Sequence, residues 1–276
     1  DLSYSSSSSS TQPVAPMADD KQMSFLDHLE ELRWRLLRSA VVIIFFAILI
    51  WVFQREIMEN VFLNMMQPDF VTFELMCRYF GVCIEKINID FQSTTLSGQF
   101  SYALMMSVMG GVVLGFPFIF YQLWAFVKPG LKGNEKKMAK GIVLYVSLLF
   151  FTGILFGYFV VAPLSVQFFG EFQISPEIRN DITIASFMST ILSTVFYTGL
   201  FFLFPIVTFL LVKIGLFTPD FLIKYRRHAV VIILVLAAII TPPDIISQVI
   251  VTIPIYLLFE LSILIAKRVA RKEQRS

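Results

Sequence analysis

Two stretches constrain this chain more than anything else in it. Neither residues 91–127 nor residues 141–170 contain a single Asp, Glu, Lys or Arg. Apolar runs of this length read as membrane-crossing helices, since about 20 apolar residues of helix span the hydrocarbon of a bilayer. Clamped between them is a short basic loop, residues 125–140, AFVKPGLKGNEKKMAK. Its Pro-Gly pair marks a turn. One carboxylate, Glu135, stands there among five lysines, Lys128, Lys132, Lys136, Lys137 and Lys140. A loop held in this way is the expected place for a soluble ligand to be read.

The fold class is accordingly all-α integral membrane. The chain is 57% hydrophobic and 15% charged, with 30 Phe, whereas soluble domains are nearer a quarter charged. Six apolar segments stand at about 39–53, 98–121, 141–161, 185–212, 229–240 and 247–266. Lys and Arg orient them, because cytoplasmic loops carry the excess of both. With the N-terminus inside, 18 of the 22 Lys and Arg fall on the inner side, leaving Arg55, Arg78, Lys86 and Arg179 outside. Both termini are therefore expected in the cytoplasm. Cys77 and Cys83 then share the first outer loop. An even pair on the oxidising side points to a disulfide, the alternative being two free thiols.

Residues 1–16 contain six consecutive serines and no apolar periodicity. They read as a disordered tail or a cloning remnant, with Met17 as a natural start and no signal-peptide pattern. The expected division is a tail over 1–23, a six-helix membrane domain over 24–268 and a basic cytoplasmic tail over 269–276. Ser24 and Asp27 form a capping pattern, followed by an apolar stripe of Phe25, Leu29, Leu32 and Leu36. This is an amphipathic helix at the inner surface that runs into the first span. On periodicity alone Glu31 is most simply an ion-pair partner of Arg35 one turn on. The outer loop after the first span has an amphipathic first part and an alternating later part, KINIDFQ, read as a short strand.

Pro117, Pro205 and Pro254 fall inside spans two, four and six, and each removes a backbone donor and bends its helix. Repeated bends imply a curved assembly with a concave face. The third span is expected to end at Ala162-Pro163. The fourth has no charge from Ile182 to Val212 and must tilt or project from the bilayer. Spans five and six are short: residues 229–243 and 245–259 are uncharged, with TPPD between them. At 1.5 Å per residue, such helices cover about 22 Å, several Å less than the hydrocarbon. The hairpin should thin the surrounding membrane or stop below its outer surface. Its polar residues are Asp244, Gln248 and Glu260. Asp244 is most simply a helix cap after Pro-Pro. For Glu260 two readings stand together: a site facing a partner or water, and an ion pair with Lys267.

Catalytic chemistry has no foothold. The two histidines, His28 and His228, lie far apart. No zinc-protease, nucleophile-elbow or phosphate-loop pattern occurs, and no Cys or His cluster has metal-ligand spacing. Neither an enzyme nor a cofactor nor a metal is implied, and no nucleic-acid partner. The two halves show no repeat, which disfavours an inverted-repeat transporter.

Four motifs in order carry a family resemblance: HLEELRWRL (28–36), FYQLWAFVKPGL (120–131) with Glu135 after it, GYFVVAPL (157–164), and TPPDIISQ with IPIYLLFE (241–260). They resemble TatC, the six-span receptor subunit of the twin-arginine protein translocase. The resemblance implies a cupped arrangement of six helices in a bacterial inner membrane or an organellar one. It implies that the inner face binds the twin-arginine signal of folded export cargo through Glu31, Phe126 and Glu135. It further implies single-span TatA/TatB-like partners and self-association in a multi-subunit complex within the bilayer. Guanidinium forks bind carboxylates bidentately and lysine does not reproduce this; the loop lysines would repel other cations, or simply enforce topology. One departure concerns span four. The family often carries Glu or Gln two positions before its proline, where this chain has Leu203. Ser193, Thr194, Tyr197 and Thr198 are then candidates for partner docking, with Gln248 and Glu260 sharing the role. The alternative class is a secondary transporter of a small solute, which should show charges deep in several spans.

Overall fold

A computed structural model describes residues 25–81, 91–127, 139–175, 182–213, 216–241 and 245–273. The tail over 1–23, Glu135, Asp244 and Cys83 lie outside these described residues.

The first helix, α1, is one unbroken rod, Phe25–Val52. The amphipathic entry and the first span are the same element, because no proline or glycine interrupts the apolar stripe. Val41, Ile44, Phe45, Ile48 and Val52 on one side are largely exposed, at the spacing of a single helix face turned to lipid. Its other face lies along α4, Gly98–Val127, which Pro117 does not break. The two backbones meet closely at Gly111. A Cβ there would stand 2.7 Å from the Ile43 carbonyl oxygen and 3.0 Å from the Ala47 nitrogen, so only glycine lets the rods touch.

Between α1 and α4 the chain builds a cap over one end of the helices. It comprises α2 (Gln54–Ile57), a π-helical turn (Met58–Leu63), a 3-10 turn (Asn64–Met66) and α3 (Val71–Phe80). Phe62, Met65, Phe70 and Phe73 are buried, in one cluster with Met106, Phe187, Met188 and Ile191 of the spans below. Tyr158 donates to the Val61 carbonyl at 2.7 Å, and Thr72 donates to the Phe159 carbonyl. Cys77 on α3 is disulfide-bonded. The alternating segment ahead of α4 ends in a two-residue strand, β1 (Phe91–Gln92), which pairs in parallel with β2 (Ile182–Thr183), just ahead of α7.

The third span does not end at Ala162-Pro163. α5 (Ala139–Phe156) passes through a π-helical turn, Gly157–Val161, into α6 (Ala162–Glu171). Pro163 stands in the first turn of α6, where a missing N–H costs little, so the path continues beyond it. The fourth span is divided into α7 (Ile184–Phe201) and α8 (Phe204–Lys213). The break at Phe202-Leu203 lies just ahead of Pro205, whose ring displaces the preceding carbonyl ladder. Gly153 of α5 packs against Gly199 and Phe202 there, with a Cβ at Gly153 meeting the Gly199 Cα at 2.9 Å.

A short helix, α9 (Pro219–Lys224), leads to the hairpin of α10 (Arg226–Ile240) and α11 (Ile245–Glu273). Five helices among the described residues are long and apolar enough to cross a bilayer. The sixth apolar segment is α10, at 15 residues, or about 22 Å. The uncharged part of α11 is as short as its sequence indicates, but the helix itself runs 29 residues, through Glu260 and into the basic stretch after 268.

Candidate functional site

α1 and α4 run antiparallel, so the start of one meets the end of the other. The N-terminal pole of a helix favours acids and the C-terminal pole favours cations. Here Glu30 and Glu31 lie near the start of α1, while α4 closes on the uncharged run YQLWAFV. The His28 ring stacks on Phe126 at 4.2 Å between centroids and 15° between planes. Two residues nearly a hundred positions apart thus form one aromatic platform.

Beside it, Arg35 grips Glu31. Its Nε donates to Glu31 Oε1 at 3.0 Å, and its Nη2 donates to the same oxygen. The remaining nitrogen, Nη1, reaches the main-chain oxygen and the Oε1 of Gln122 on α4, each at 3.5 Å, the outer limit for a hydrogen bond. The side chains of Arg35 and Glu31 are only 19% and 25% exposed. One oxygen of Glu31 is therefore taken twice, and the other, Oε2, is buried without a partner among the described residues. Trp124 Nε1 is also buried without a partner among the described residues, on a face of α4 where its ring continues the stack of Phe116 and Phe120. An unpaired buried acceptor is destabilising by about 1–3 kcal/mol. A donor brought to Glu31 would relieve that penalty.

The bidentate grip expected of Glu31 needs restating in this light. Arg35 already holds one oxygen, as the ion-pair reading of the sequence anticipates. An arriving guanidinium must either meet Oε2 or displace Arg35. Phe126 is partly buried at the end of α4, immediately before the loop that carries Glu135, and Glu135 itself lies outside the described residues. His28, Gln122 and Trp124 were not singled out from sequence. Only the antiparallel contact of α1 with α4 brings them in, and no periodicity within either helix signals it.

Within the hairpin of α10 and α11 the polar residues serve the hairpin itself. Gln248 donates from Nε2 to the Leu234 carbonyl of α10 at 3.1 Å. Glu260 accepts from Arg226 Nη2 at 2.7 Å and from the Tyr256 hydroxyl at 2.9 Å. Its salt-bridge partner is thus Arg226, across the hairpin, and not Lys267 further along its own helix. The signal was available: folding the sequence back about Pro242-Pro243 sets 260 opposite 225–226. Among the span-four candidates, Thr194 and Thr198 are buried at 3% and 0% exposure. Thr194 donates to the Ile240 carbonyl at 3.3 Å and Thr198 to the Thr194 carbonyl at 2.7 Å, so both are interior. Tyr197 is 49% exposed. Leu203 packs on the cluster of Phe116, Val146, Phe150 and Ile206. Among the described residues, no group of three His, Cys, Asp or Glu gathers as a metal site.

Comparison with known proteins gives a consistent result. A family model described as Sec-independent protein translocase protein (TatC) matches residues 27–254. A protein named Sec-independent protein translocase protein TatC from Blattabacterium sp. subsp. Periplaneta americana (strain BPLAN) is 35% identical over 263 residues, covering 92% of this chain and 99% of that one. TatCy of Bacillus subtilis (strain 168) is 32% identical, covering 92% and 93%. Among solved structures, a crystal structure of the twin-arginine translocase receptor TatC in DDM superposes with a TM-score of 0.65 at 31% identity. That superposition covers 87% of this chain and 99% of the other.

Proposed function

The chain belongs to the TatC family, and from that premise we propose that the meeting of α1 and α4 is the seat for the twin-arginine signal of export cargo. As a family member it is a multi-pass membrane subunit of a protein translocase, neither an enzyme nor a carrier of small solutes. The observation that carries the proposal is the half-satisfied carboxylate of Glu31. It lies in the same small region as the His28–Phe126 platform. Guanidinium is planar, weakly hydrated and able to stack, which suits an acceptor beside an aromatic face.

In this reading one signal arginine is taken by Glu31 and the other by Glu135, with Phe126 against the apolar neighbour in the signal. The seat faces the cytoplasm, as the distribution of Lys and Arg argues, and both termini share that side. Single-span TatA/TatB-like subunits dock elsewhere. With Leu203 turned into a core cluster and Thr194 and Thr198 buried, the exposed Tyr197 and the partly buried Ser193 are the span-four candidates that remain for them. Copies of the chain associate within the complex. Photo-crosslinkers placed at Phe126 and Glu135 test the seat directly. Both should capture a labelled Arg-Arg signal peptide, and a crosslinker at Leu96 in the outer region should not. Capture from Leu96 alone would overturn the reading.

A further inference from the structure

Between α8 and α10 the chain leaves the membrane and re-enters it. Residues 213–228, KIGLFTPDFLIKYRRH, hold Lys213, Lys224, Arg226 and Arg227 against one acid, Asp220. The short α9 is fixed in rotation. Thr218 caps it by accepting from the Phe221 nitrogen at 3.2 Å. Leu222 is buried in one cluster with Ile263 and Ala266 of α11. The adjoining flank presents Phe221 and Tyr225, 42% and 40% exposed.

The rings on that side form a continuous row. Phe217 stacks on Phe221 at 5.1 Å, Phe221 meets Tyr225 at 4.5 Å, and Tyr225 meets His228 at 5.3 Å. Lys224 Nζ stands 6.0 Å from the centre of the Tyr225 ring. Arg226 is committed to Glu260. Lys224 and Arg227 are exposed and make no ion pair among the described residues.

Exposed aromatic rings at the mouth of two spans lie where hydrocarbon gives way to headgroups, the depth that amphipathic rings favour. Uncommitted cations beside them select the sign of what binds. We propose that this row is a site for the headgroup of an anionic phospholipid. The phosphodiester meets Lys224 and Arg227, and the glycerol and first acyl carbons lie along Phe221 and Tyr225. A zwitterionic lipid is disfavoured because its own ammonium or choline would be brought against the same two cations.

Native mass spectrometry of the full chain in neutral detergent, supplied with equal phosphatidylglycerol and phosphatidylcholine, tests this. The wild type should retain phosphatidylglycerol in preference. Each cation near a membrane surface contributes about fivefold, so Lys224→Gln with Arg227→Gln should lower that retention at least tenfold and leave phosphatidylcholine unchanged. In the wild type alone, raising the salt should weaken the preference, a readout independent of any variant. Equal retention of the two lipids by the wild type would overturn the site. So would unchanged preference in the double variant, or displacement by inorganic phosphate at millimolar concentration, which would reassign the row to a soluble anion.

Discussion

Glu31 has two neighbours competing for its charge, one resident and one proposed. Arg35 holds Oε1 while Oε2 is buried and unpaired among the described residues, so the carboxylate is anchored without being satisfied. Removing it by Glu31→Ala should weaken an Arg-Arg signal by about tenfold or more, the value of one hydrogen bond to a charged group. Glu135→Ala should do the same. A Lys-Lys signal, which lacks the fork, should lose less in both. Equal losses for the two signals in a binding titration would remove the fork from the explanation. The lone Glu135 among lysines and the acids at the start of α1 were legible in the sequence. What surrounds Glu31 was not. His28 reaches Phe126 and Arg35 reaches Gln122 only because two helices run antiparallel, and side-chain pairing across helices leaves no period in either one.

The helices themselves were legible wherever one force dominated. Charge-free runs gave the spans, and of the three prolines read as bends, Pro205 lies just after the division of the fourth span into α7 and α8, while Pro117 and Pro254 stand within unbroken helices. The same reasoning failed at Pro163, because a π-helical turn ahead of it lets the rod absorb a residue that elsewhere ends one. It also offered Lys267 as an ion-pair partner for Glu260, where Arg226 across the hairpin and Tyr256 one turn back hold the carboxylate. The contact of α1 with α4 is least forgiving at Gly111, where the missing Cβ faces backbone atoms. Gly111→Val would drive a side chain into the Ile43 carbonyl and the Ala47 nitrogen, neither of which can swing aside. Overpacking of this kind is destabilising by about 1–3 kcal/mol. The variant should melt several degrees lower and lose signal binding with it. Gly141→Ala, with nothing within 4 Å of its new Cβ, is the matching control and should melt as the wild type does.

For the whole molecule, the decisive quantity is which side carries the positive charge. The 18-to-4 division of Lys and Arg argues for the proposed seat and the α9 turn on the cytoplasmic side and the cap on the opposite one. A membrane-impermeant maleimide applied to intact spheroplasts should label Leu96→Cys and reach Leu216→Cys only after the membrane is opened; both positions are well exposed. The opposite pattern would invert the protein and move the proposed seat away from newly made cargo. The outer side has a property of its own, which follows from the pairing of Phe91 with Ile182 and Gln92 with Thr183. That seam stitches together two loops separated by the second and third spans. A protease that cuts the second loop once, ahead of Ile182, would therefore leave the two strands on different fragments still held by the seam, and the cut protein would travel as one body until detergent and heat undid the stitching.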